Sequence, residues 1–168
     1  MTTNKSTEKI PWYASLVIFS LVPLSQVVLY FTALPLLPVN KPLKELRGML
    51  NMNNNQMITF QILSVLAFSI ISFTMMYLVS SALLKLMAPN RNLEALFISL
   101  ILAIGIGNGV ALLVTVLSKT LMPEVPAMIQ LIILSLSYYQ ITNWKDKRGT
   151  ILLAVITLLM SVLPAFLY

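Results

Sequence analysis

The chain has 168 residues, of which 58% are hydrophobic and only 10% are charged; its net charge is +6, and it contains neither cysteine nor histidine. Soluble domains carry about 25% charged residues, so most of this surface must face a medium other than water, namely a bilayer. The missing residue types exclude disulfides, thiol nucleophiles, thiolate metal sites and the commonest general base.

Five uncharged stretches predict five membrane helices, because about 20 mostly apolar residues are needed to cross a hydrocarbon core of about 30 Å. The predicted spans are, in chain order, about Trp12–Leu37, Met57–Leu84, Leu93–Leu117, Pro126–Trp144 and Thr150–Tyr168. The sequence therefore predicts an all-α, polytopic transmembrane helix bundle at residues 12–168, preceded by a cytoplasmic tail at residues 1–11. The last two spans are barely long enough. An alternative with four spans places the fourth segment in the interface or inside the bundle.

The first span contains Pro23, where we expect a kink. The longest loop, Val39 to Gln56, follows this span. Pro42 is placed to begin a helix there, and apolar residues then recur at helical spacing: Leu43, Leu46, Met49 and Leu50. We expect a short amphipathic helix on the outer surface, followed by a polar linker. A solvated loop with one helical turn is the alternative.

The later connections are short and carry helix end signals. Asn92 is a predicted N-cap for the third span, with Glu94 in its first turn, and Pro126 suits the first turn of the fourth. The connection between the second and third spans therefore predicts a tight helical hairpin.

Lysine and arginine in alternate loops predict the orientation. The side that holds the amino terminus carries seven of them and the opposite side four. The positive-inside rule therefore predicts a cytoplasmic amino terminus and an external carboxyl terminus in the cell inner membrane. The basic residues form no patch or stripe, so we expect the lipid bilayer as a partner and no nucleic acid.

No formal charge lies deep inside any predicted span, and the five acidic residues occupy five different loops or helix ends. Proton-driven pumps, intramembrane proteases and metalloenzymes need such groups inside the bilayer. We therefore predict that the chain is not an enzyme and has no catalytic, cofactor-binding or metal-binding residues.

The segment from Gly105 to Gly109, with sequence GIGNG, lies in the middle of the third span. Gly105 and Gly109 have the small-xxx-small spacing that lets helix backbones approach, so the first interpretation is a close helix crossing. The second is a local unwinding that opens a cavity lined by Asn108. Gly107 lies on a different face, so packing of that pair does not account for it.

Further polar side chains lie within the predicted spans, among them Gln26 in the first and Gln61 in the second. In a dry bundle each of them needs a partner. We expect hydrogen bonds between helices, which contribute about 0.6 kcal/mol each. The alternative is that they line a substrate path together with Asn108.

Five spans, a cytoplasmic amino terminus, a polar outer loop and the helix end Ser80–Pro89, with sequence SSALLKLMAP, together resemble the YIP family of small membrane proteins. The resemblance covers about Met57 to Tyr168. This family is named for binding Rab-type GTPases, and some bacterial relatives are associated with ABC-type exporters or with protection from peptide toxins. The resemblance implies a non-enzymatic membrane adaptor and transfers no functional residues.

The first functional hypothesis is a non-catalytic membrane scaffold or accessory subunit, with a membrane-protein partner or a homo-oligomer. The second is a small transporter or substrate-binding membrane subunit. Its polar cavity lies near the third span, and its candidate residues are Gly105, Gly107, Asn108, Gly109, Gln61 and Gln26.

Overall fold

The computed structural model describes residues 11–36, 45, 47–88 and 91–167, and within them the chain is helical without a β-strand. The helices are α1 Trp12–Ala33, α2 Asn54–Met87, α3 Leu93–Ser118, α4 Glu124–Ile141, α5 Lys147–Thr157 and α6 Leu163–Leu167. A 3₁₀ turn, Leu34–Leu36, follows α1, and a π-helical turn, Leu158–Val162, joins α5 to α6. The predicted all-α bundle is confirmed.

Four helical stretches in the described residues are long and apolar enough to cross a membrane: Tyr13–Leu36, Asn54–Met87, Leu93–Ser118 and Lys147–Phe166. The helix of the fourth predicted span, α4, is not among them. It has 18 residues and so measures about 27 Å. It packs against α3 and α5 and is therefore part of the bundle.

Two contacts show that α4 runs antiparallel to α3. Near the carboxyl end of α4, the Tyr138 hydroxyl accepts a hydrogen bond of 3.4 Å from the backbone N–H of Asn92, the residue before α3. Near the other end of α4, Gln130 lies against Gly107 in the second half of α3. The two helices therefore lie side by side over most of the length of α4.

Side-chain caps explain where the helices begin. The predicted N-cap Asn92 is confirmed, since its Oδ1 accepts from the Ala95 N–H at 3.0 Å. Residues 54–56, which we expected in a polar linker, instead form the first turn of α2. The reason is a capping box, in which Asn53 Oδ1 accepts from Gln56 N–H at 2.8 Å and Gln56 Oε1 accepts from Asn53 N–H at 2.9 Å. Pro23 lies inside α1, which continues through it.

Several predicted segments lie wholly or partly outside the described residues. Residues 1–10 of the predicted tail are outside them, as are residue 37 at the end of the first predicted span, residues 38–44 and 46 up to and within the outer loop, residues 89–90 of the predicted hairpin, and residue 168 at the end of the fifth predicted span. In the part of that loop that is described, Glu45 and residues 47–49 are helical, and Met49 and Leu50 are exposed.

The helix at the centre of the bundle is α3. In its most apolar stretch 39% of residues are buried, against 11% in α2. The core lies where α3 meets α4, α1 and the end of α2, and where α5 packs on α4. Its largest buried side chains are Tyr138, Leu84, Leu96, Leu100, Leu134 and Leu153. Much of α2 therefore contributes a surface rather than a core.

Candidate functional site

Asn108 joins α3 to α1 through a chain of hydrogen bonds. Its Oδ1 accepts from Gln26 Nε2 at 3.0 Å, and its Nδ2 donates to Ser25 Oγ at 2.7 Å. The Ser25 hydroxyl donates in turn to the Val22 carbonyl at 2.8 Å. This direction of donation fixes the orientation of the Asn108 amide. The interhelical hydrogen bond predicted for Gln26 is thus present, with Asn108 as its partner, and the Gln26 Oε1 remains outside this chain of bonds.

Gly107 lies where α3 comes into close contact with a side chain of α4. A Cβ on Gly107 would lie 2.5 Å from Gln130 Cγ and 2.9 Å from Gln130 Nε2. Real Cβ atoms do not approach other atoms so closely, so the Gln130 side chain rests directly on the Gly107 backbone. The absence of a side chain here is what admits a glutamine between the two helices.

The prediction that Gly105 and Gly109 make the close crossing is wrong within this chain. A Cβ on either residue would have no heavy atom of the described residues within 4 Å, apart from its own helix and chain neighbours. Successive helix positions are rotated by about 100°, so the face that carries Gly107 differs from the face of this pair. α3 is also an uninterrupted helix from Leu93 to Ser118, so the predicted local unwinding is absent.

A cavity of about 630 Å³ lies between α1 and α2, and we call it the slot. Its size is typical of small-molecule sites, which range over about 300–1,000 Å³. Two of the predicted cavity residues, Gln26 and Gln61, line it, whereas Asn108 and the three glycines do not. Asn108 lies outside this lining and is connected to the slot through its hydrogen bond to Gln26. The polar residues of the slot are Gln26, Tyr30, Gln61, Ser64, Ser69, Ser72, Gln130 and Ser161.

Several polar groups of the slot have no partner. The side-chain amides of Gln61 and Gln130 make no hydrogen bond to any other described residue. Ser69 is only 6% exposed, and its Oγ is also without a partner. An unpaired amide or hydroxyl in an apolar medium costs about 2–7 kcal/mol relative to water. These groups therefore favour a polar occupant for the slot.

The π-helical turn supplies Ser161 to the slot. In this turn the Leu163 N–H bonds to the Leu158 carbonyl, five residues back. Pro164 explains the turn, since it has no N–H to offer the Met160 carbonyl and its ring crowds that carbonyl. Single π turns inside α-helices are frequent at functional sites. Pro164 is the sequence signal that could have predicted this irregularity.

Phe73 closes the slot towards the middle of the bundle. It also lines a second, more open groove, of about 710 Å³, that continues along α1 and α2 past Phe19 and Tyr77. The Phe73 ring packs edge-on against Phe19, with centroids 4.9 Å apart, and against Phe97 at 5.8 Å. The slot and the groove are thus separated by a cluster of aromatic rings.

A second polar cluster was not predicted, and we call it the junction: Asn92, Tyr138, Asp146 and Gly149. All of its residues except Asn92 are buried. The Tyr138 hydroxyl donates to Asp146 Oδ2 at 2.7 Å while it accepts from the Asn92 N–H. Asp146 Oδ1 accepts from the Gly149 N–H at 2.8 Å and so caps α5. A Cβ on Gly149 would clash with the Asp146 carboxylate, so glycine is needed there. The sequence signal was an aspartate three residues before a glycine at a helix start.

The described residues offer little for covalent or metal chemistry. No group of three or more Asp, Glu, His or Cys side chains that could hold a metal is present among them, and none of the residues lining the slot is charged. What the slot can do is bind, through amides, hydroxyls and apolar surface. No family model matches this chain, and comparisons with curated proteins and with solved structures give no significant match.

Proposed function

We propose that this chain is a non-catalytic, multi-pass membrane protein that binds a small molecule inside the bilayer. It is a substrate-binding membrane subunit or a small transporter. The observation that carries this proposal is the pair of unpartnered amides, Gln61 and Gln130, that line the slot. Water cannot satisfy such groups from the hydrocarbon core, so a cavity that presents them is suited to a ligand that can.

The test is native mass spectrometry of the chain purified in mild detergent. We expect a small molecule to remain bound to the natural chain and to be lost when Ser69→Trp fills the slot. Ser20→Trp is the matched control, because Ser20 lies in α1 but not in the slot. If equal thermal stability of both variants is verified and Ser69→Trp retains the same bound mass, the proposal fails.

We further propose five crossings in the cell inner membrane, with a cytoplasmic amino terminus and an external carboxyl terminus. α4 is short, but its antiparallel packing along α3 supports a crossing by α4 and so a total of five crossings. The charges at one end of the bundle support the orientation, since this end carries Lys85, Arg91, Lys145, Lys147 and Arg148, all exposed. A reporter fused after residue 168 should be active only outside the cell. Cytoplasmic activity would contradict this topology.

A scaffold or accessory subunit is the second candidate function, and the outward face of α2 favours it. Leu63, Ile71, Met75 and Leu78 are all exposed there. Such a face suits lipid, a membrane-protein partner such as an ABC-type exporter, or a second copy of this chain, and an adaptor is also what membership of the YIP family would imply. Crosslinking of Ile71→Cys in membranes should give one discrete product. Ile151→Cys, exposed on α5, is the control, and equal crosslinking at both positions would argue against this function.

A further inference from the structure

The charge of the lining residues restricts the chemical class of ligand that the slot can bind. All the described residues that line the slot are uncharged. An ion that enters an apolar site without a counter-ion loses its hydration without compensation, which costs far more than a hydrogen bond to an amide returns. The slot is therefore suited to an uncharged ligand.

The polar groups narrow the ligand further. A glutamine amide is both a donor and an acceptor, and both sides are unpartnered in Gln61 and Gln130. At Gln26 one N–H is used by Asn108, which leaves its carbonyl oxygen as an acceptor. A ligand group that matches these amides must itself donate and accept, as a hydroxyl or a carboxamide does.

The slot is elongated. The α2 residues that line it run from Phe60 to Met76, which corresponds to about 24 Å of helix. An extended chain can follow a cavity of this length along the helix.

The α2 wall of the slot points to the route of access. Phe68 lines the slot and is 73% exposed, and its neighbours in the wall, Ser64 and Ser72, are exposed too. This face of α2 lies within a helix that is long and apolar enough to cross a membrane. A ligand therefore reaches the slot sideways, from the lipid phase.

We propose that the slot binds a neutral, single-chain lipid whose head is a hydroxyl or a carboxamide, taken up from the surrounding bilayer. Gln61 and Gln130 supply the hydrogen-bonding groups of the slot, and its apolar walls hold the chain. This inference rests on the function proposed above and adds the chemical class of the ligand.

The test uses the full chain in phosphatidylcholine nanodiscs with a series of photo-crosslinking lipids. All probes carry the same saturated chain and diazirine and differ only in the head: carboxamide, hydroxyl, sulfonate, quaternary ammonium, or no head. Mass spectrometry maps the crosslinked residues. We expect the carboxamide and hydroxyl probes to label slot residues most strongly. The double variant Gln61→Leu/Gln130→Leu should reduce that labelling by about fivefold, as expected for the loss of two hydrogen bonds in a membrane interior.

Gln140→Leu is the matched control, because Gln140 is an exposed glutamine of α4 outside the slot, and it should label as the natural chain does. Four outcomes overturn the inference. Equal labelling by the headless probe, or preference for a charged head, overturns the ligand class and leaves binding in the slot intact. If no probe labels slot residues, the proposed function fails as well. Labelling by neutral heads that the double variant does not change also contradicts the role of the two amides.

Discussion

The junction and the slot are two polar regions of the same bundle, and they differ in how far their hydrogen bonds are satisfied. In the junction, the Tyr138 hydroxyl and both carboxylate oxygens of Asp146 have partners, and both residues are almost completely buried. In the slot, Gln61, Gln130 and Ser69 have none among the described residues. A satisfied buried cluster holds helices in place, whereas an unsatisfied one is maintained at a loss of stability. The junction therefore stabilises the contacts between helices, whereas the slot presents polar groups that no described residue satisfies.

The largest effect is expected in the junction. Asp146→Leu removes the cap of α5 and leaves the buried Tyr138 hydroxyl without its acceptor. We expect the free energy of unfolding in mixed micelles to fall by about 2–4 kcal/mol. Asp146→Asn keeps an oxygen for Gly149 and should lose less than Asp146→Leu. Equal losses in the two variants would mean that the cap contributes nothing.

A smaller loss in the free energy of unfolding is expected for substitutions at Gly107, where α3 contacts Gln130. Gly107→Ala forces a methyl group against Gln130, and overpacking of this kind costs about 1–3 kcal/mol. Gly105→Ala and Gly109→Ala meet open space and should change the free energy of unfolding by less than about 0.5 kcal/mol. The same micelle titration measures all three variants. Adding Gln130→Ala to Gly107→Ala should recover most of the loss, and failure to do so would place the clash elsewhere.

Asn108→Leu tests the hydrogen bonds that join α3 to Gln26 and Ser25 of α1. It leaves Gln26 and Ser25 without their interhelical partner, so we expect a loss of about 1 kcal/mol for two hydrogen bonds in a membrane interior. Asn55→Leu, at an exposed position in the first turn of α2, is the control and should leave unfolding unchanged. An unaltered unfolding titration for Asn108→Leu would show that this chain of bonds does not stabilise the α1–α3 contact.

The smallest effect has the opposite sign. Gln61→Leu removes an unpartnered amide from a buried position, so without ligand the free energy of unfolding should rise by about 0.5 kcal/mol. Gln26→Leu breaks the bond to Asn108 and should lower it. Unfolding of ligand-free protein distinguishes the two glutamines. A loss of stability in both variants would contradict the contrast between satisfied and unsatisfied amides.

Much of the fold could be predicted from the sequence because charges and caps mark where apolar helices end. Asn92 and its hairpin are an example, and all five predicted spans form helices. The orientation of each helix about its axis could not be predicted in the same way. α3 is apolar on nearly every side, so no periodic pattern shows which glycine faces a neighbour, and Gly107 proved to be the contact.

The candidate site was predicted in part. The hydrogen bond between helices that we expected is present for Gln26, but Gln61 makes none with the described residues. Both glutamines line the slot, as the alternative interpretation predicted. The role of Gln130 could not be predicted, since it depends on a neighbouring helix whose face was unknown. Asp146 was counted as a loop charge. Its burial depends on Tyr138, which is eight residues away and becomes close only when α4 and α5 fold back on each other.

The π turn at Leu158–Val162 has a consequence for how the gene can vary. Such a turn holds one residue more than an α-helix of the same rise, and Ser161 reaches the slot from within it. Loss of a single codon from this segment would restore regular α-helical winding and rotate the residues on one side of the deletion by about 100° relative to those on the other. A one-residue deletion here would therefore alter the slot, whereas substitutions that preserve the length of the segment would keep its register.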